Sequence, residues 1–171
     1  MDEKYIALIA TFDEETTSQM EALQQLLFDN GLIGTQTPGV PPHITIALFD
    51  PALENELIKK TKQIAAKTKR FKLCFNHIGL FGLKVLFLGP DVNHELLTLH
   101  EALAVNNVRS ERGWTPHATL LIDEPDNIHK ALDLVSQNFE QIKGRIEGLQ
   151  LYEIDPVRLV AEYTLQDIPQ S

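Results

Sequence analysis

The sequence predicts an α+β fold that consists of two similar lobes. Apolar runs of strand length alternate with segments of helical periodicity along the chain, in the same order in both halves. The segment 42–48 (PHITIAL) also matches the segment 116–122 (PHATLLI) at an offset of 74 residues. We interpret the repeat as an internal duplication that forms a bilobal fold. In it, two pseudo-twofold-related lobes line a central cleft with antiparallel-type sheets and carry their helices outside.

The first lobe is predicted over about residues 1–80. Met20, Leu23, Leu26 and Leu27 recur at the three- and four-residue spacing of a helix. Two glycines and three prolines make the segment 34–42 a loop. The predicted order is a strand at 5–11, a helix at 13–30, this loop, a strand at 43–49, a helix from 50 to about 69, a strand at 71–78 and a turn at 79–82.

The second lobe is predicted over about residues 81–171 and repeats that order within the same domain. An apolar run at 117–122 occupies the place that the strand at 43–49 has in the first lobe. The predicted order is a strand at 84–88, a helix from 91 to about 104, a polar loop at 106–116, a strand at 117–122, a helix from 125 to about 141, a strand at 143–153 and a strand at 158–165.

Composition and charge limit the partners that the chain can have. The 171 residues include 15 Lys and Arg against 24 Asp and Glu, a net charge of −9. Such a surface repels polyanions, so we predict no membrane partner and no stable coat on long nucleic acid. Cys74 is the single cysteine, which rules out a disulfide framework and fits a packed side chain better than a nucleophile. No signal peptide or membrane span is predicted, and we expect a cytoplasmic monomer.

Two His-x-Thr motifs are the strongest functional signal in the sequence. With 12 threonines in 171 residues, the six histidines give only about 0.4 such matches by chance. Two occur, at His43 and His117, each preceded by proline and each within an apolar run. In a strand, residues i and i+2 point to the same face. His43 is therefore predicted to share a face with Thr45, and His117 with Thr119, over apolar residues that anchor in the core. Two core histidines are the structural alternative, and the repeat of the pattern argues against it.

The motifs resemble those of a known family, the 2H phosphoesterases, which include 2′-5′ RNA ligase-like cyclic phosphodiesterases. The resemblance rests on the segments 43–46 (HITI) and 117–120 (HATL) and extends over essentially the whole chain. It implies a metal-independent enzyme that hydrolyses a 2′,3′-cyclic phosphate on a nucleotide or an RNA 3′ end. His43 and His117 would form the acid–base pair, and Thr45 and Thr119 would hold the phosphate. No metal and no other cofactor is implied.

Imidazole chemistry agrees with this resemblance. A histidine with an ordinary pKa of about 6.5 can act as base or as acid near neutral pH, so two of them can serve the entering and the leaving oxygen. Threonine hydroxyls can stabilise the charge that develops on the phosphoryl oxygens. Three alternatives remain open: cyclic ADP-ribose phosphate or 2′-5′-linked oligonucleotides as substrates, reversible 2′-5′ ligation, and a non-catalytic module that binds a nucleotide or a terminal phosphate.

Further residues are candidates for substrate binding. Arg109 and Arg112 precede the second motif, where a guanidinium could hold a terminal phosphate. Trp114 and Phe81 could stack on a base, with core packing as the alternative for Trp114. A basic run between residues 59 and 72 is either an RNA footprint or the solvated face of a helix. This basic run consists of Lys59, Lys60, Lys62, Lys67, Lys69, Arg70 and Lys72.

Overall fold

The computed structural model describes residues 4–108 and 113–167 and has four α-helices and seven strands in these ranges. The strands are β1 (Tyr5–Phe12), β2 (His43–Phe49), β3 (Phe71–Phe81), β4 (Val85–Pro90), β5 (Ala118–Ile122), β6 (Ile142–Ile154) and β7 (Arg158–Thr164). The helices are α1 (Glu14–Asp29), α2 (Glu54–Lys67), α3 (His94–Leu103) and α4 (Pro125–Asn138). A short 3₁₀ helix, Pro51–Leu53, precedes α2. The predicted α+β class is confirmed.

All seven strands belong to one antiparallel sheet, in the order β2-β1-β6-β3-β4-β5 with β7 beside β6. The long strand β6 joins the sheet together, because it pairs with β3 through residues 142–146 and with β1 through residues 146–154. The motif strands β2 and β5 are therefore the two ends of the order. They nevertheless contact each other, so the sheet curves until its two ends meet.

The core lies mainly between one face of the sheet and the helices. In β1, Ile6, Leu8 and Ala10 point into this main core, whereas Ala7 and Ile9 point to the opposite face and form a small apolar cluster there with Tyr152. This alternation follows the two-residue period of a strand. The opposite face of the sheet thus carries a small apolar cluster of its own, separate from the main core.

Helices from each half of the chain contact the motif strand of the other half. α1 packs against β5 and α4, whereas α3 packs against β2 and α2. Each half therefore contributes a helix that packs on the motif strand of the other half.

Within residues 4–108 and 113–167, no helix is long and apolar enough to cross a membrane.

Several predicted boundaries differ from the structure. The helix predicted from residue 50 starts as the 3₁₀ helix, with α2 only from Glu54, and α4 ends at Asn138 rather than at about residue 141. Two further boundaries are wrong for clear physical reasons. Residues 79–81 of the turn predicted at 79–82 are in fact the end of β3, in which Phe81 pairs with Val85 of β4, and the turn lies at 82–84. The helix predicted from residue 91 begins only at His94, where the side chain of Asn93 accepts a hydrogen bond from the amide of Leu96 at 2.9 Å. An asparagine in this position is a helix cap, which fixes the first turn.

Candidate active site

Both His-x-Thr motifs open into one cavity of about 310 Å³, which we call the motif cavity. His43, Thr45, His117 and Thr119 are half-buried and lie in its lining. The intervening apolar residues are almost completely buried in the main core, as the strand period predicts; they are Ile44, Ile46, Ala118 and Leu120. The predicted strand register is therefore confirmed at both motifs.

The two imidazoles are held in the same way. Nδ1 of His43 lies 2.7 Å from the carbonyl oxygen of Pro41, and Nδ1 of His117 lies 2.8 Å from that of Thr115. Because a carbonyl can only accept, Nδ1 must carry the proton in each ring. In both cases the acceptor stands two residues before the histidine, and the proline between them has a fixed φ that restricts this short turn. Nε2 is consequently the atom that each ring has for proton transfer.

Burial is the main electrostatic effect on this pair. It lowers the pKa of both His43 and His117 below the ordinary value, because a charged imidazolium is poorly solvated there. The hydrogen bonds to Pro41 and Thr115 partly offset this effect. The positive charge of His117 lowers the pKa of His43 further, so the two rings are close enough to influence each other's protonation.

His117 stands in an aromatic shell. The ring of Phe81 meets it edge-to-face with centroids 4.7 Å apart, and the ring of Phe87 lies at 5.3 Å. Phe87 itself covers Gly79, its partner across the β3–β4 pair, where any side chain would collide with the phenyl ring. The glycine is therefore required by close packing within a strand rather than by a turn. Phe81, a candidate for stacking on a base, contacts the imidazole of His117 and remains 38% exposed.

Other lining residues of the motif cavity come from parts of the chain that sequence reasoning did not connect with the motifs. Tyr5, Ala7, Ile9 and Tyr152 line it from the face of the sheet opposite the main core. The amides Gln24 and Gln36 line it from α1 and from the following loop. No lysine or arginine of the described ranges is among the lining residues. Gln24 shows no sequence signal, because it reaches the cavity only through the packing of α1 against β5.

Comparison with known proteins identifies the family. The sequence matches the model of the 2′-5′ RNA ligase superfamily over residues 12–158. The chain belongs to this superfamily. The predicted membership among the 2H phosphoesterases is thereby confirmed, and this membership indicates a phosphoesterase enzyme. No curated protein matches the sequence.

Solved structures have the same fold as this superfamily member. E. coli LigT in complex with NADP+ is 17% identical, with a TM-score of 0.65 over 97% of this chain and 99% of LigT. The LigT complex with 3′-AMP is 16% identical, with a TM-score of 0.63 over 95% and 98% of the two chains. TT0787 of Thermus thermophilus is 16% identical, with a TM-score of 0.67 over the same shares. At these identities the likeness concerns the fold.

Trp114 of this superfamily member lies beside the motifs and outside the lining of the motif cavity. Its ring stacks on the imidazole of His100 with centroids 3.8 Å apart and planes 7° from parallel. Its indole N–H donates a hydrogen bond of 3.0 Å to the backbone carbonyl of Thr45. One face of the ring is therefore occupied by α3. Arg109 and Arg112, the candidates for holding a terminal phosphate, lie outside the described residues.

The basic run lies apart from the motif cavity, whose lining contains none of its seven residues, all of them described. Four of the seven, namely Lys67, Lys69, Arg70 and Lys72, line a different and larger cavity of about 760 Å³ between α2, α3 and β3. Arg70 is paired there with Glu147 at 3.5 Å and with Asp167 at 3.1 Å. Lys59 and Lys62 are exposed on α2.

Among residues 4–108 and 113–167, no group of three potential metal ligands from His, Cys, Asp and Glu lies together.

Proposed function

We propose that this protein hydrolyses a 2′,3′-cyclic phosphate, on a nucleotide or at an RNA 3′ end, without a metal ion. The observation that carries this proposal is the matched orientation of two imidazoles in one cavity. Each ring donates from Nδ1 to a backbone carbonyl and keeps Nε2 for the substrate, and a threonine hydroxyl stands beside each ring on the same strand face.

The proposed reaction is a displacement at phosphorus that needs one base and one acid. Nε2 of the neutral histidine takes a proton from water, whose oxygen forms the new bond to phosphorus. Nε2–H of the protonated histidine gives its proton to the ribose oxygen, whose bond to phosphorus breaks. The product is a phosphate monoester with a free neighbouring hydroxyl, and proton exchange with solvent restores both rings. Which imidazole acts as base depends on which ester oxygen leaves.

The backbone carbonyls and the threonines support this chemistry without changing their own protonation. The carbonyls of Pro41 and Thr115 accept from Nδ1–H in both states of the ring and stabilise the imidazolium when it forms. Thr45 and Thr119 line the cavity, and in the proposed reaction their hydroxyls donate to the equatorial phosphoryl oxygens. Such donors act where negative charge increases in the transition state.

The cavity favours a small nucleotide as substrate. Its volume of about 310 Å³ suits one nucleoside phosphate, and its lining combines apolar residues with tyrosine and glutamine side chains that can contact a base. The solved complexes of E. coli LigT with 3′-AMP and NADP+ support a nucleotide ligand for the same fold. A cyclic phosphate carries one negative charge, which a single imidazolium balances in a cavity without a described lysine or arginine in its lining.

The proposal is tested by turnover of defined phosphodiesters. Purified protein is incubated with 2′,3′-cyclic AMP, with cyclic ADP-ribose phosphate and with a 2′-5′-linked dinucleotide, and phosphorus NMR identifies the products. We expect the cyclic nucleotide to open to one monoester, with unchanged activity after dialysis against a strong chelator. Preference for either other substrate would move the assignment to that substrate. Binding of all three without turnover would indicate a non-catalytic module, and loss on chelation with recovery on metal addition would exclude the metal-free reaction.

A further inference from the structure

The outer edge of each motif strand is covered by a segment from the opposite half of the chain. On β2, the amide of Leu48 donates to the side chain of Asn107 at 3.1 Å, and the carbonyl of Leu48 accepts from the amide of Val108 at 2.9 Å. On β5, Ile122 makes the equivalent pair of bonds, with the side chain of Gln36 at 3.0 Å and the amide of Thr35 at 2.8 Å. Each half of the chain therefore covers the edge of the other half's motif strand. The two strand residues that make these bonds, Leu48 and Ile122, are 74 positions apart.

The backbone carbonyls of the two motif threonines also accept hydrogen bonds from the opposite half of the chain, but the two bonds differ in length. The carbonyl of Thr45 accepts a hydrogen bond from the indole N–H of Trp114 at 3.0 Å. The carbonyl of Thr119 accepts one from the side-chain amide of Gln24, but only at 3.5 Å. The first is a hydrogen bond of ordinary length, and the second is at the outer limit. Of the two threonines, Thr45 is thus the one whose backbone carbonyl is held by a hydrogen bond of ordinary length from the other half of the chain.

Trp114 also belongs to the short segment that orients the second histidine. It directly precedes Thr115, whose carbonyl accepts the Nδ1–H of His117. Two hydrogen bonds and a few covalent bonds therefore connect the backbone of Thr45 with the imidazole of His117. Stacking on His100 fixes the indole plane on the side of α3. This path crosses from one motif to the other.

We propose that Trp114 is a positioning residue, whose indole N–H sets the place of the Thr45 hydroxyl relative to the imidazole of His117. The inference rests on the proposed function, in which these two groups act on one phosphate. Misplacement of a donor by a fraction of an ångström weakens transition-state binding more than ground-state binding. Loss of the indole N–H should therefore lower kcat about tenfold and change KM by less than about twofold.

The test removes the N–H and keeps the ring. Trp114 is the single tryptophan of the chain, so growth on benzothienylalanine replaces it alone with a ring of the same shape that has sulfur instead of N–H. W114F is the genetically encoded second variant. Tyr163→Phe is the matched control, because it also removes an aromatic donor to a backbone carbonyl, that of Ile58 at 3.2 Å, but outside the motif cavity. Each change is measured in the wild type and in a Thr45→Val background, with 2′,3′-cyclic AMP as substrate.

The test depends on whether the effect of losing the indole N–H on kcat depends on the presence of the Thr45 hydroxyl. If Trp114 acts through Thr45, its loss lowers kcat in the wild type and costs nothing more once the Thr45 hydroxyl is gone, whereas Tyr163→Phe leaves kcat unchanged in both backgrounds. Equal losses in the two backgrounds, or an unchanged kcat in folded protein, would overturn the inference. If no phosphodiester is turned over, the proposed function fails by itself. The same cycle is then measured on the Kd of inorganic phosphate by NMR, where additivity would overturn the inference.

Discussion

Histidines 43 and 117 are equivalent in orientation, and the proposed reaction needs both. Replacing either with alanine should lower kcat by about 10²- to 10⁴-fold, the usual contribution of a positioned acid or base. The double variant should lose far less than the product of the two effects, because both rings act in one step. Steady-state kinetics on 2′,3′-cyclic AMP measure this, with circular dichroism as a control for folding. Near wild-type turnover by either single variant would exclude the pair as acid and base.

The lowered pKa values of the two imidazoles predict the pH dependence of the reaction. The acid must be protonated and the base neutral, so kcat/KM should follow a bell whose limbs report the pair. Because burial lowers the pKa of both rings, the alkaline limb should lie below about pH 6.5, where an ordinary imidazole would place it. A rate profile from about pH 4 to pH 9 measures it. An alkaline limb clearly above the ordinary value would contradict the expectation that a buried histidine with a lowered pKa is the acid.

Burial of these rings also makes the free energy of unfolding depend on pH, in a direction that follows from the lowered pKa values. A histidine whose folded pKa lies below its unfolded value binds fewer protons when folded, so the free energy of unfolding falls as the pH drops below about 6.5. The contribution of His43 should therefore be absent at neutral pH and become unfavourable in acid. Urea titrations of the wild type and of His43→Gln at two pH values isolate it. The variant should lose less stability on acidification than the wild type, and an equal or greater loss would contradict the burial effect.

Among the elements, the β3–β4 pair links packing to the site. Gly79→Ala would place a methyl group against the ring of Phe87, which is held between Phe81 and His117. We expect overpacking to cost about 1–3 kcal/mol of stability and to reduce kcat as the His117 ring shifts. Gly89→Ala is the matched control in the same strand pair, because the side chain that it meets, that of His77, is exposed and can turn away. Equal losses of kcat in the two variants would show that the packing of Phe81 and Phe87 against His117 does not contribute specifically to catalysis.

Elements were predictable where local pattern and tertiary packing agree. The range 43–49 for β2 was predicted without error, because half-buried and buried residues alternate through the motif from His43 to Ile46. The end of β3 was not, since Gly79 is a turn signal by composition and a packing requirement in the folded sheet. The motif residues were likewise visible in the spacing. Gln24 and Gln36 were not, because their amides reach β5 only through the packing of α1 and of the loop after it against the other half of the chain.

On the scale of the whole molecule, charge and geometry agree on a small substrate. The net charge of −9 opposes long-range attraction of RNA, and the basic run lies outside the lining of the motif cavity. We therefore expect contact with only the terminal one or two nucleotides. Log kcat/KM should then fall with log salt by a slope no steeper than about −2, since each contacted phosphate of a single strand contributes about −0.7.

The measurement compares a dinucleotide and a 20-mer that both end in a 2′,3′-cyclic phosphate, at low and at high salt. We expect values of kcat/KM within about tenfold of each other at both salt concentrations, because a longer strand adds phosphates that touch little of this anionic surface. The opposing hypothesis is that the basic run guides RNA along α2 toward the cavity. It requires a strong preference for the 20-mer that disappears at high salt and also disappears when Lys59, Lys60 and Lys62 are changed to glutamate. That pair of results would refute the expectation of a terminal contact, whereas an unchanged ratio in the triple variant would leave α2 as a solvated helix face.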